Sequence, residues 1–273
     1  MTKYNQLRVA HIRHLKSDYV LLTLEYDSKM QIPQPGQFFM IKPRNTLIAR
    51  PISVHNYFTI LKKGYLEFLF KVVGKGTSEL SRLKRGEITE LWGPIGNYFP
   101  IEKDRKTAIL VAGGRGIAPL FYLATRLFEK GYRIHFFYGV KESDELVHLL
   151  RIKNLSEKLY ITTEDGKKGK KGLITSLFLE AIKTYTSNLT PTSLFDEERK
   201  LSPICYVCGP EIMIEKICEV SINQNIKTYI SLEALMGCGS GVCLGCTVET
   251  AGGKLFHICK DGPIFDAREF YCR

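Results

Sequence analysis

The chain has 273 residues, 44% hydrophobic and 25% charged, and its 39 lysines and arginines outweigh 28 aspartates and glutamates to give a net charge of +11. That length suits two domains, and the balance of residue types excludes a disordered or fibrous chain. No apolar run approaches the roughly 20 residues of a membrane span, and the opening MTKYNQLRVA lacks the apolar core of a signal peptide, so a soluble cytoplasmic protein without a membrane partner is expected.

The positive charge invites a nucleic-acid partner. The densest basic stretch, GKKGKKG at residues 166–172, carries no interleaved aromatic side chains on which bases could stack, so no nucleic-acid partner is expected. Eight cysteines are too few for a disulfide scaffold of this length, and in a cytosolic chain clustered thiols bind metal or do redox chemistry.

In the first hundred residues, apolar side chains alternate with polar ones. YVLLTLEY places Val20, Leu22 and Leu24 on one face, GQFFMIKP and YLEFLFKVV continue the pattern, and PQPG, KKG and KRG separate the segments. Short strands at this spacing, with one short helix near TSELSRL, predict a small antiparallel barrel over residues 1–102. It is expected to end near WGPIGNYFP, where Gly93, Pro94, Gly96 and Pro100 break regular structure. From Thr107 strands alternate with helices. TAILVAGG, RIHFFYGV, LYITTEDG, PICYVCGP and KTYISLE read as strands, and the stretch after Ile117, DELVHLLRI, LITSLFLEAI and EIMIEKICEVSI read as helices. This predicts a doubly wound parallel sheet over 103–230, with a polar insertion at 187–203. Residues 231–273 form a cysteine-rich tail too small to fold without a staple.

Four places carry chemistry. AGGRGIAPL sets Gly113, Gly114 and Gly116 between a buried strand and a helix, where backbone N–H groups can face a phosphate; a tight turn alone would look the same. YVCGPEIM repeats that form at a later strand, placing Cys208, Gly209 and Pro210 where open α/β sheets bind ligands, although a core cysteine remains an alternative for Cys208. Cys205, three residues away along a strand, faces the other side and makes no pair with it. In the barrel, Arg50 and Lys71 offer cations, Gly74 and Gly76 let the backbone come close, and Thr77 and Ser78 add hydroxyl and N–H donors. In the tail, Cys238, Cys243, Cys246 and Cys259 form a C-x₄-C-x₂-C-x₁₂-C pattern, whose first three follow the spacing of plant-type 2Fe–2S sites. Zinc also takes four thiolates, usually in two C-x₂₋₄-C knuckles.

Arg50-x-x-Ser53, Gly74-x-Gly76-Thr77, the Gly113–Pro119 turn and Cys208-Gly209-Pro210 together resemble the ferredoxin–NADP reductase superfamily, in which a flavin-binding barrel precedes a nicotinamide-binding α/β domain. The resemblance implies that Arg50 contacts an FAD pyrophosphate, that Ser53 faces the flavin N5 edge, and that Pro51, Ile52, Leu69, Phe70, Lys71, Gly76 and Thr77 line the FAD site. It also implies NAD at Gly113, Gly114, Gly116, Cys208, Gly209 and Pro210. Many members carry tyrosine where this chain has Ile52, so aromatic stacking from that position is absent.

The tail, with Cys238-Gly-x-Gly-x-Cys243-x-x-Cys246 before Cys259-x-Asp-Gly-Pro-x-Phe-Asp, resembles the electron-transfer subunits of type B dihydroorotate dehydrogenases. That family implies a 2Fe–2S cluster, FAD and NAD, and an FMN-containing catalytic partner in a heterotetramer of two subunits of each kind, serving pyrimidine biosynthesis. It implies no catalytic residue for dihydroorotate in this chain. The alternatives are a differently partnered NAD(P)H:ferredoxin-type oxidoreductase and a zinc-stapled nucleic-acid-binding protein.

Overall fold

The computed structural model describes residues 3–27, 29–187 and 203–271; most of the expected insertion, at 188–202, and Cys272 lie outside the described residues. The chain divides into two compact units, one of Met1–Phe99 with Leu232–Ile264 and one of Pro100–Ser231 with Phe265–Arg273.

The first unit opens with strands β1 (Lys3–His14), β2 (Tyr19–Tyr26), β3 (Phe38–Lys42), β4 (Arg50–Ile60) and β5 (Lys63–Lys71), the helix α1 (Lys75–Leu80) and β6 (Ile88–Ile95). The six strands close into an antiparallel barrel in the order β1-β2-β5-β4-β3-β6. The period-2 alternation explains its filling. Val20, Leu22 and Leu24 stand opposite Phe70, Phe68 and Leu66 in register, and all six are buried. Phe39 adds an edge-to-face contact with Phe68 at 5.7 Å between ring centres. The expected break at Gly93 and Pro94 does not occur, because β6 runs through both to Ile95. Pairing with β1 ends at Gly93, so Pro94 interrupts no rung of that ladder with its missing N–H.

The second unit contains β7 (Thr107–Gly113), α2 (Ile117–Glu129), β8 (Arg133–Val140), α3 (Leu149–Leu155), β9 (Lys158–Thr163), β10 (Lys170–Lys171), α4 (Ile174–Ser187), β11 (Ile204–Cys208), α5 (Glu211–Asn223) and β12 (Lys227–Ser231). Every residue of β7 and of β11 is buried, as expected for parallel strands covered on both faces. Helices α2 and α3 pack together, as do α4 and α5. One helix expectation shifts: α3 starts at Leu149 instead of including Asp144–Val147, because His148 takes a left-handed conformation at φ 58 and caps the helix there. The lysine-rich loop also holds the two-residue strand β10, paired in parallel with β9.

The tail adds the hairpin β13 (Thr247–Glu249) and β14 (Leu255–His257), then β15 (Ile264–Asp266) and α6 (Ala267–Tyr271). The large sheet runs β10-β9-β8-β7-β11-β12-β15, so the connection order reverses between β7 and β11. That switch point is where open α/β sheets form ligand crevices.

Candidate functional site

In the barrel unit, β3 pairs with β4 so that Ile41, Met40, Phe39 and Phe38 face Arg50, Pro51, Ile52 and Ser53. Arg50 opens β4, half-buried, and its Nη1 donates to the Ile48 carbonyl at 2.6 Å. The guanidinium lies directly over Gly76: a β-carbon there would come within 2.7 Å of its Cζ. The Gly-Lys-Gly loop therefore brings the free first-turn N–H groups of α1 beside a fixed cation, an arrangement suited to a phosphate. Thr77 is buried and its hydroxyl serves its own turn, accepting from the Val73 and Gly74 N–H groups at 2.9 and 3.2 Å. What Thr77 offers an anion is thus its backbone. Lys71, at the end of β5, reaches over the Tyr19 ring at 5.8 Å, and Leu69 and Phe70 are buried in the strand before it.

In the second unit, the two motifs that follow β7 and β11 meet. Cys208 pairs with Ala112 in the parallel ladder, and the two strand ends turn side by side. Gly116 presses on the Cys208 carbonyl so closely that any β-carbon would collide with it. Gly113 and Gly209 likewise have no room for a side chain beneath Met213, whose sulfur would lie 2.6 Å from a β-carbon on Gly113. Cys208 is buried at the strand end, whereas Cys205 lies in the core with its thiol pushed up to about 12 by burial, which leaves it inert. Beside this crevice, Asp165 accepts from the Ser143 N–H at 3.0 Å and the Ser143 hydroxyl at 2.7 Å, joining the ends of β9 and β8. Those hydrogen bonds, led by the Ser143 N–H, hold the Asp165 carboxyl well below the usual carboxylate range.

The cysteine loop belongs to the barrel unit. The Cys246 and Cys259 sulfurs lie 3.4 Å apart, the Gly241 N–H donates to the Cys259 sulfur at 3.2 Å, and the Cys259 N–H donates to that of Cys246 at 3.5 Å. Cys238 accepts from the N–H groups of Ser240 and Cys243 at 3.3 and 3.4 Å. Hydrogen bonds from Ser240, side chain first, hold the Cys238 thiol down to about 5, while burial pushes Cys259 up to about 11. Metal ligation takes cysteines as thiolates, so loading releases the thiol protons. Among the described residues no three His, Cys, Asp or Glu side chains gather around a single ion site. The Cys246 and Cys259 thiols touch each other, and Cys243 meets Cys238 through its backbone N–H. Four thiols in one short segment, with backbone N–H groups aimed at the sulfurs of Cys238, Cys246 and Cys259, fit a two-iron cluster.

Residues 233–271 match the iron–sulfur cluster binding domain of dihydroorotate dehydrogenase B, and residues 110–219 match an oxidoreductase NAD-binding domain. The electron transfer subunit of dihydroorotate dehydrogenase B (NAD(+)) from Caldanaerobacter subterraneus subsp. tengcongensis is 36% identical over 266 residues, 96% of each chain. The chain belongs to this family of electron transfer subunits. The Clostridium perfringens subunit is 35% identical, covering 91% of this chain and 90% of its own. As a member of this family, the protein is a subunit of an NAD-linked oxidoreductase. Among solved structures, an NADH-dependent reduced ferredoxin–NADP oxidoreductase superposes with a TM-score of 0.79 at 29% identity, over 96% of this chain and 88% of its own. A Neisseria gonorrhoeae ferredoxin–NADP reductase with bound FAD and NADP gives 0.63 at 17% identity, over 82% and 92%, a likeness of fold.

Some residues around the electron transfer subunit's tail carry no sequence signal of a role. Trp92 and Asn97 both lie in the WGPIGNYFP segment expected only to break structure, yet both hold the cysteine tail: the Trp92 indole N–H donates to the Cys238 carbonyl at 3.2 Å, and the Asn97 amide donates to the Asp261 and Ile264 carbonyls at 2.9 and 2.7 Å. A lone tryptophan and one asparagine belong to no spaced motif, and their partners lie more than 140 residues away. In the second unit Met213, packed against Gly113 and Gly209, likewise carries no sequence signal beyond its place in a helix.

Proposed function

We propose that this chain relays electrons from dihydroorotate, oxidised on a separate FMN-bearing catalytic subunit, to NAD⁺ in pyrimidine biosynthesis. In that scheme a 2Fe–2S cluster passes single electrons, NAD⁺ takes a two-electron hydride, and FAD exchanges both. The observation that carries the proposal is the cysteine loop: four cysteines in one short segment with backbone N–H groups aimed at their sulfurs, in the same compact unit as Arg50 and Gly76.

Placement supports the following residue roles. Cys238, Cys243, Cys246 and Cys259 hold the cluster. Arg50, fixed over Gly76, and Lys71 neutralise the FAD pyrophosphate; the backbone of Gly76 and Thr77 donates to it, and Pro51, Ile52, Ser53, Leu69 and Phe70 form the flavin strand surfaces. Gly113, Gly114, Gly116, Cys208, Gly209 and Pro210 form the NAD crevice at the switch point. On this assignment residues 1–102 serve FAD, 103–230 serve NAD and 231–273 serve the cluster. Val242 and Leu244, 80% and 56% exposed, flank the exposed Cys243 and give the catalytic subunit an apolar surface to cover in an assembly of two of each subunit. No helix among the described residues is long and apolar enough to cross a membrane, and the described cysteines form no disulfide; we place the complex in the cytoplasm.

Anaerobic purification from native extract, with iron, zinc and flavin analysis and identification of the copurifying chain, tests the proposal. Expected are two irons and one FAD per chain, an FMN-bearing partner, and dihydroorotate-dependent NAD⁺ reduction. One zinc without flavin would overturn it. The structural likeness to an NADH-dependent ferredoxin–NADP oxidoreductase favours one rival: a flavin- and iron-loaded chain with a ferredoxin-type partner and no dihydroorotate activity would establish that rival instead.

A further inference from the structure

The cysteine tail is tied to the barrel at both ends of its cysteine run by one strand and its extension. At the first cysteine, the indole N–H of Trp92, on β6, donates to the Cys238 carbonyl at 3.2 Å. Two residues past the last cysteine, Asn97 takes over. Its amide N–H₂ donates to the Asp261 and Ile264 carbonyls at 2.9 and 2.7 Å, and its Oδ1 accepts from the Ile264 N–H at 2.8 Å. Its backbone N–H donates to the Gly262 carbonyl at 2.7 Å. Between these anchors, Gly239 lies so tightly on β3 that a β-carbon would come within 2.6 Å of the Met40 side chain.

Met40 is the centre of this arrangement. It pairs with Trp92 of β6 on one side and with Pro51 of β4 on the other. One strand therefore separates the strand that clamps the cysteines from the strand that carries Arg50–Ser53. At the normal spacing between paired strands, that places β6 and β4 about 10 Å apart. Electron transfer falls steeply with separation, so whatever fixes the tail on this edge fixes the rate.

We propose that Trp92 and Asn97 are positioning residues for electron transfer between cluster and flavin: they clamp the cysteine tail on the barrel edge beside β3 and so set the separation of the two centres. The proposal rests on the assignment of the four cysteines to a cluster and of Arg50–Ser53 to FAD. Asn97 is suited to the role because its one amide both donates and accepts, satisfying three backbone groups of Asp261 and Ile264. Trp92 also supplies a reporter, since it is the chain's single tryptophan and touches the first ligand residue.

The test uses the full holoprotein carrying Trp92→Phe, which keeps the ring and removes the donor, or Asn97→Asp, which keeps the size and removes two donors. Iron and FAD per chain are measured first, with tryptophan fluorescence for Asn97→Asp as a check on the tail's seat. The rate of electron redistribution between flavin and cluster is then followed after a one-electron pulse, with NADH reduction of the flavin as the control reaction. Expected are intact cofactor content, unchanged NADH reduction, and redistribution slowed about tenfold or more. Loaded variants that redistribute electrons at the wild-type rate would overturn the proposal while leaving the cofactor assignment intact. If Asn97→Asp loses iron, Trp92→Phe decides alone: slowed transfer supports the clamp, and an unchanged rate refutes it. Wild-type protein lacking iron or FAD would remove the cofactor assignment and the proposal together.

Discussion

Replacing Gly76 with alanine separates stability from FAD binding by their opposite signs. Gly76 is the second residue of α1 and helical, so alanine there gains about 0.5–1 kcal/mol of helix propensity. The new methyl meets the Arg50 guanidinium, with Nε nearest and Cζ and Nη2 each 2.7 Å from the β-carbon. The methyl displaces the flexible Arg50 side chain from its seat, so the fold loses its hydrogen bonds to the Ile48 and Ala49 carbonyls. FAD loses a charge-assisted contact, about 1.5–3 kcal/mol, or roughly 10- to 100-fold in affinity. Apoprotein melting by calorimetry and FAD titration by fluorescence quenching measure the two effects. Expected is an apoprotein melting temperature unchanged or slightly raised, with FAD binding weakened by that factor. Unchanged FAD affinity would refute the placing of Arg50 over the pyrophosphate, and a collapse of the apoprotein would refute the local geometry.

Gly116→Val drives a side chain into the Cys208 carbonyl, where backbone lies on both sides; a loss of about 1–3 kcal/mol in unfolding free energy, with weaker NAD binding, is expected by denaturant titration, and wild-type behaviour in both would contradict the packing. Cys259→Ser should abolish iron retention and cluster absorbance while FAD content stays near one per chain; retained iron at wild-type levels would exclude Cys259 as a ligand. Asp165 has a depressed folded pKa, so its contribution to stability is complete above the usual aspartate range and fades as pH falls through and below it. The stability deficit of Asp165→Asn should therefore be full at neutral pH and shrink in acid, and a deficit that grows below about pH 4 would contradict the Ser143 hydrogen bonds as its cause.

The chemistry of this protein was largely legible as short spaced motifs. Strand alternation located the barrel face at Val20, Leu22 and Leu24 because a period of two survives any tertiary context that keeps one face buried. Fully apolar runs followed by glycine marked β7 and β11, since parallel strands covered on both faces need no polar residues. The C-x₄-C-x₂-C spacing marked the tail because the reach of a loop around a small cluster is local geometry. By contrast, the helix start at Leu149 depended on a left-handed His148, and the passage of β6 through Pro94 depended on where its pairing with β1 stops. Neither is a property of the residues alone.

Only the tertiary structure could decide what those motifs touch. Arg50 and Gly76 lie 26 positions apart and Gly116 and Cys208 lie 92 apart, yet each pair is in contact, because closing a barrel or laying β11 beside β7 is a pairing choice that no single segment encodes. Leu232–Ile264, with its cysteines, gathers with the barrel over a gap of more than 130 residues, held by Trp92 and Asn97. Sequence determined which side chains and backbone groups were available to hold phosphate, nicotinamide and iron. The fold determined their separations, because distances between segments far apart in the chain are set by which strands pair and what packs between them.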